Sequence, residues 1–180
     1  MNQDFRKFDE FVRATDPGRR SDLSFLAETR RVEELITRGL RENLARSDWR
    51  WFQTYLSLAG ERPSAQYVPV FTEALDLRDG GVNPGDVLAY LLDIKDPSSV
   101  PAIERALHWR PDWDEFHDLA FKALDALLAI DDDAAWRVIE SVRDDDRERV
   151  REIARRVLAR RANGWPASNR AISSDLRSRS

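Results

Sequence analysis

A proline-marked segment that recurs at a fixed distance constrains this chain more than any other feature. Val68-Pro69-Val70-Phe71-Thr72-Glu73-Ala74-Leu75 and Val100-Pro101-Ala102-Ile103-Glu104-Arg105-Ala106-Leu107 share the skeleton V-P-x-x-x-x-A-L, 32 residues apart. The same offset brings Asp86-Val87 onto Asp118-Leu119 and Leu91-Leu92 onto Ala123-Leu124. A looser third copy sets Val138-Ile139-Glu140 on Ala102-Ile103-Glu104 at 36. It also sets Ile153-Ala154 and Val157-Leu158 on Leu119-Ala120 and Ala123-Leu124 at 34. Proline belongs in the first turn of a helix, where its missing N–H costs little. A period of this length predicts helix pairs, each burying its apolar face on its neighbours because one pair alone cannot.

The remainder of the chain fits an all-helical reading. Apolar residues recur at helical spacing between breakers, and no stretch alternates at period two. A helix is expected over Asp4 to Ala14, with Phe5, Phe8, Phe11 and Val12 as its apolar stripe, ending at Thr15-Asp16-Pro17-Gly18. A long helix follows, capped by Ser21 or Asp22. It buries Leu23, Leu26, Val32, Leu35, Ile36 and Leu40, with a break expected near Gly39. Ser47 or Asp48 caps the next, which carries Trp49, Trp51, Phe52, Tyr55, Leu56 and Leu58 and ends at Gly60 before Pro63.

From Tyr67 to Arg161 the chain resembles the HEAT-repeat proteins, especially their short bacterial forms. Asp96-Pro97-Ser98-Ser99-Val100-Pro101 is similar to the opening of such a repeat, and Asp118, Leu119, Ala120, Ala123 and Leu124 to its second helix. The basic residue usual before that helix is absent, with His117 nearby. The resemblance implies a right-handed α-solenoid of antiparallel helix pairs with a helical N-terminal cap. One helical domain over 1–161 is expected, with N-terminal helices at 1–60 and repeats at 61–161. A polar C-terminal tail occupies 162–180. The family includes scaffolds, lyases and DNA-repair enzymes, so the resemblance implies a fold more than an activity.

Charge is segregated along the chain. The first 60 residues hold 11 basic and 10 acidic side chains; residues 61–146 hold 8 and 20; residues 147–180 hold 10 and 3. An acidic body thus ends in an arginine-rich helix containing Arg147, Arg149, Arg151, Arg155, Arg156, Arg160 and Arg161. Opposite charge on the two parts can steer different partners. There is no cysteine, which excludes disulfides, thiolate metal sites and a cysteine nucleophile. With no membrane-length apolar run and no secretory leader in the first ten residues, a cytoplasmic location is expected.

Two surfaces emerge as partner-binding candidates. Under the repeat alignment Asp86, Asp118 and Glu152 share one position on the second helices. Tyr90, Lys122 and Arg156 follow four residues on, and Asp93 and Asp125 three after that, which keeps all of them on one helix face. Such rows serve a partner or pair with one another. The turn His108-Trp109-Arg110-Pro111-Asp112-Trp113 is the second candidate, because tryptophan and arginine dominate interface hot spots. Its structural alternative assigns Asp112 and Glu115 to capping the next helix. The triplets Asp131-Asp132-Asp133 and Asp144-Asp145-Asp146 read as helix caps. Neither has calcium-loop spacing, so no metal site is assigned.

No catalytic constellation is present. His108 and His117 lie nine apart across a turn, unlike a helical zinc pair. No nucleophile elbow or glycine-rich phosphate loop appears, and no cofactor is expected. The sequence therefore predicts a non-catalytic repeat protein binding a protein partner, with a basic partner best suited to the acidic body. An adaptor, a regulator or a bacterial immunity protein all fit. The alternative is a HEAT-like nucleic-acid-binding or DNA-repair protein acting through the arginines of the last helix.

Overall fold

The computed structural model of the chain describes residues 3–14 and 31–164. Among these residues it is entirely helical, with no strand. The helices are α1 (Gln3–Ala14), α2 (Val32–Ala45), α3 (Trp49–Glu61), α4 (Val68–Leu77), α5 (Pro84–Ile94), α6 (Val100–His108), α7 (Asp118–Ile130), α8 (Asp133–Ser141) and α9 (Glu148–Ala162). The turn expected at 15–18, the cap at Ser21 or Asp22, the core positions Leu23 and Leu26, and most of the polar tail lie outside the described residues.

The recurring segment has the same local physics in both copies. A 3₁₀ turn, Ala65–Tyr67 or Pro97–Ser99, precedes each helix. The side chain in front of it accepts a hydrogen bond from a backbone N–H two residues on: Ser64 from Gln66 at 3.3 Å, Asp96 from Ser98 at 2.9 Å. Pro69 and Pro101 then fall in the first turn of α4 and α6. The buried positions coincide as well. Val68, Val70, Phe71, Ala74 and Leu75 of α4 correspond at 32 residues to Val100, Ala102, Ile103, Ala106 and Leu107 of α6. Burying each of the larger of these side chains is worth about 1.5–3 kcal/mol. In α8 and at its C-terminal cap the offset of 36 sets Trp136, Val138, Ile139 and Val142 at the equivalent buried places. It also sets Asp132, which accepts from the Ala135 N–H, opposite Asp96. The 3₁₀ turn is lost there, and Asp131 instead accepts from the Trp136 indole N–H at 2.7 Å.

Helices pack in two series. In one, α2 packs on α4, α4 on α6 and α6 on α8. In the other, α3 packs on α5, α5 on α7 and α7 on α9. Helix α7 meets four neighbours, α5, α6, α8 and α9. It buries Leu119, Ala120, Ala123, Leu124, Ala126, Leu127 and Leu128, the alanines letting those helices come close.

The N-terminal part departs from expectation in three places. Helix α2 starts at Val32, after Arg31 in a left-handed conformation (φ 59°), rather than as the continuation of a helix capped at Ser21 or Asp22. Helix α2 runs unbroken through Gly39 to Ala45. Gly39 is needed for contact rather than for a bend: a Cβ there would lie 2.0 Å from Cε1 of Tyr55. Helix α1 buries Phe5, Phe8 and Val12, but Phe11 is largely exposed, because helix α1 packs on α2 through a narrower stripe than the periodicity suggests. The Tyr55 hydroxyl donates to Asp9 Oδ1 at 2.9 Å and ties α1 to α3.

Candidate partner-binding site

The segment between α6 and α7 is built from two consecutive turns. The Asp114 N–H donates to the Pro111 carbonyl at 3.0 Å, and the His117 N–H to the Asp114 carbonyl at 3.2 Å. The second position of each turn is an acid, Asp112 or Glu115, and the third an aromatic, Trp113 or Phe116. Both tips face outward. Trp113 is 64% exposed and Phe116 69%, the highest among the large hydrophobic side chains of the described residues.

Buried Asp114 holds this double turn in place. Its Oδ1 accepts from the Asp118 N–H at 2.8 Å and its Oδ2 from the Leu119 N–H at 3.1 Å. It is therefore the cap of α7. Asp112 and Glu115, the pair that the spacing assigned to capping, are exposed instead. His117 completes the entry to the helix in a left-handed conformation, φ 59°. That leaves the two acid–aromatic tips without a structural duty.

Behind the double turn lies a cleft of about 520 Å³. Its walls are Trp109 and Trp113, the α4–α5 turn from Arg78 to Pro84, and Gln53 of α3. The two tryptophan rings meet edge to face, 5.9 Å apart and at 89°. The Arg78 guanidinium lies 5.4 Å from the Trp109 ring centroid. Asp79 accepts from the Gly81 N–H at 2.8 Å. Gly81 in turn lies against Trp49, where a Cβ would come within 2.1 Å of the indole.

The expected residues divide between this cleft and the second-helix row. Trp109 and Trp113 line the cleft. Arg110 does not: its guanidinium forms a two-point ion pair with Asp146 in the α8–α9 connection. Asp86 borders the cleft through Gln53, whose Nε2 donates to Asp86 Oδ2 at 2.9 Å. Tyr90 is half-buried, its ring 6.2 Å from that of Phe71, and acts as packing. The Lys122 ammonium reaches across to Gly85, beside Asp86. Asp118, Asp93, Glu152 and Arg156 are exposed, and Asp125 is half-buried. The row is thus partly engaged in internal contacts, whereas the turn tips keep their aromatic rings largely exposed even where Trp113 meets Trp109.

The arginines of the last helix are largely committed to the protein itself. Arg147 is buried and holds Asp145 through Nε and a terminal nitrogen, each at 2.8 Å. Arg151 donates to the Asp145 carbonyl at 2.7 Å, and Arg155 reaches the Arg143 carbonyl and Asp144. Arg149 lies over Phe121, and Arg161 lies over Trp136. Hydrogen bonds from Arg155, Arg147 and Arg110 hold the carboxyls of Asp144, Asp145 and Asp146, respectively, below the usual aspartate range. The triplet that read as a helix cap is mainly the acceptor set for Arg155, Arg147 and Arg110.

Phe116, Arg78 and Gln53 were not among the residues expected from sequence. The signal for Phe116 was the acid–aromatic step repeated at three residues, Asp112-Trp113 and Glu115-Phe116, in a stretch opened by Pro111. Arg78 and Gln53 reach the cleft only through tertiary packing. Among the described residues no group of three histidine or acidic side chains gathers as a metal site, and no helix is long and apolar enough to cross a membrane. Compared with known protein families, curated proteins and solved structures, the chain matches none.

Proposed function

We propose that this protein is a HEAT-like α-solenoid that binds a protein partner through the edge formed by its α6–α7 turn, and that it works by binding rather than by catalysis. The observation that carries the reading is the exposure of Trp113 and Phe116 on two successive turns, the first of them lining the cleft. Large apolar groups held outward in an otherwise well-packed chain mark interaction surfaces. Aromatic anchors beside a pocket are the usual core of a protein interface. Support for the solenoid comes from the recurring cap, proline and burial pattern, and from the two series of stacked helices, whose main contacts among the described residues are with near neighbours.

The reading is tested by purifying the tagged chain from its native cells with whatever binds it, then remaking that partner for calorimetry. Wild-type chain should bind it, and the Trp113→Ala/Phe116→Ala double variant should bind about tenfold or more weakly, each lost anchor being worth roughly 1–2 kcal/mol. A partner that binds both equally well removes this edge as the site. Absence of any stoichiometric partner removes the proposal.

A further inference from the structure

We infer that the partner segment seated on this edge is cationic, presenting arginine between apolar side chains. The inference rests on the protein-binding reading above and adds to it the chemistry of what is bound. Three features of the site converge on it.

The first is the composition of the two turn tips. Each presents one carboxylate and one aromatic ring as neighbours, Asp112 with Trp113 and Glu115 with Phe116, all four exposed. Asp118 adds a third exposed carboxylate at the start of α7. An aromatic face attracts a guanidinium, and an adjacent carboxylate can accept its paired N–H groups. The spacing repeats this combination twice within five residues, which suits a segment with cations at intervals rather than a single charge.

The second is the absence of internal competition. Some exposed acids elsewhere are matched: Asp76 with Arg105, Asp146 with Arg110, Asp144 with Arg155. The side chains of Asp112, Glu115 and Asp118 have no ion-pair partner among the described residues. The basic residue closest in sequence, Arg110, is held by Asp146. Negative potential is therefore left uncompensated at the same place where apolar surface is left uncovered.

The third is that the cleft already accommodates a guanidinium. Arg78 lies over the Trp109 ring on the cleft wall. This internal contact shows that the tryptophan-lined wall suits such a group. Trp113, set at right angles to Trp109 and mostly exposed, leaves a further ring for an incoming one. An acidic or neutral apolar partner would leave the carboxylates unpaired at the rim, a cost that a cationic one avoids.

The full chain should be titrated into two fluorescently labelled synthetic peptides, one alternating arginine with leucine and glycine, the other with glutamate at each arginine. Anisotropy should rise for the arginine peptide alone, and affinity should fall as salt is added. Asp112→Asn/Glu115→Gln should weaken binding about tenfold, equivalent to about 1.4 kcal/mol, and Trp113→Ala/Phe116→Ala should weaken it at least as much. No binding of the arginine peptide, equal binding of both peptides, or an unchanged affinity in the carboxylate variant would each overturn the inference. A native partner that is lost with the aromatic variant yet retained by the carboxylate variant would leave protein binding standing and refute its cationic character alone.

Discussion

Arg147 and Asp145 form a buried ion pair closed by the chain itself, with the remaining arginine nitrogen donating to the Leu107 carbonyl at 3.0 Å. The pair sits where α9 begins and fastens it to the end of α6. Its value lies in completeness, since each partner would be a costly buried charge without the other.

Replacing Arg147 with Ala strands Asp145 and the Leu107 carbonyl together. The expected loss is about 3–5 kcal/mol, read from the urea midpoint. Arg147→Lys, which keeps the charge and loses the planar fork, should fall between. A lysine variant as stable as wild type would show that charge alone matters.

The same pair sets an acid limit. Unfolded aspartate titrates near ~3.9, and the hydrogen bonds from Arg147 hold the folded Asp145 below that. A depressed folded value means the stabilisation is complete above about pH 4 and drains away as pH falls through the folded value. Asp145→Asn, less stable near neutrality, should therefore lose stability less steeply than wild type below about pH 4. Parallel denaturation curves across that range would contradict the assignment.

Gly39 offers a choice between two opposed effects. Alanine in a helix interior gains about 1 kcal/mol over glycine, but here its Cβ meets Tyr55 at 2.0 Å, and Tyr55 is fully buried. Overpacking costs about 1–3 kcal/mol and should win, so Gly39→Ala lowers Tm. Gly80→Ala, with nothing within 4 Å, should stay within about 0.5 kcal/mol of wild type.

Two buried tyrosines should respond differently to loss of the hydroxyl. Tyr55 donates to Asp9, whereas the buried Tyr67 hydroxyl has no hydrogen-bond partner among the described residues. Tyr55→Phe should cost about 0.5–1.5 kcal/mol, and Tyr67→Phe should be neutral or stabilising. Chemical denaturation of the two single variants decides it, and the reverse order would mean that the hydrogen-bond assignment is wrong.

What was legible in the sequence followed from local rules. Proline in a first turn, a capping side chain before it and apolar residues at helical spacing locate α4 and α6 with no knowledge of neighbours. The same rules failed where a distant partner decides. Gly39 looks like a helix breaker until Tyr55 is set against it. The spacing points to Asp112 as the cap, and only the double turn brings Asp114 beneath the N–H groups of Asp118 and Leu119. The arginines of α9 read as a basic surface because their acceptors, Asp145, the Arg143 carbonyl and the rings of Phe121 and Trp136, come together only in three dimensions. Trp109 and Trp113 were visible by residue type, but the cleft between them and Arg78 was not.

Arg78 ends α4 in the left-handed region, at φ 52°, a conformation that costs a side-chain-bearing residue roughly 1–2 kcal/mol and glycine almost nothing. Glycine here should make the fold sturdier while removing the guanidinium from Trp109. The helix end and the cleft thus draw on one residue with opposed requirements. A variant chosen only for heat resistance would tend to accept glycine at this position and erode the binding edge unnoticed.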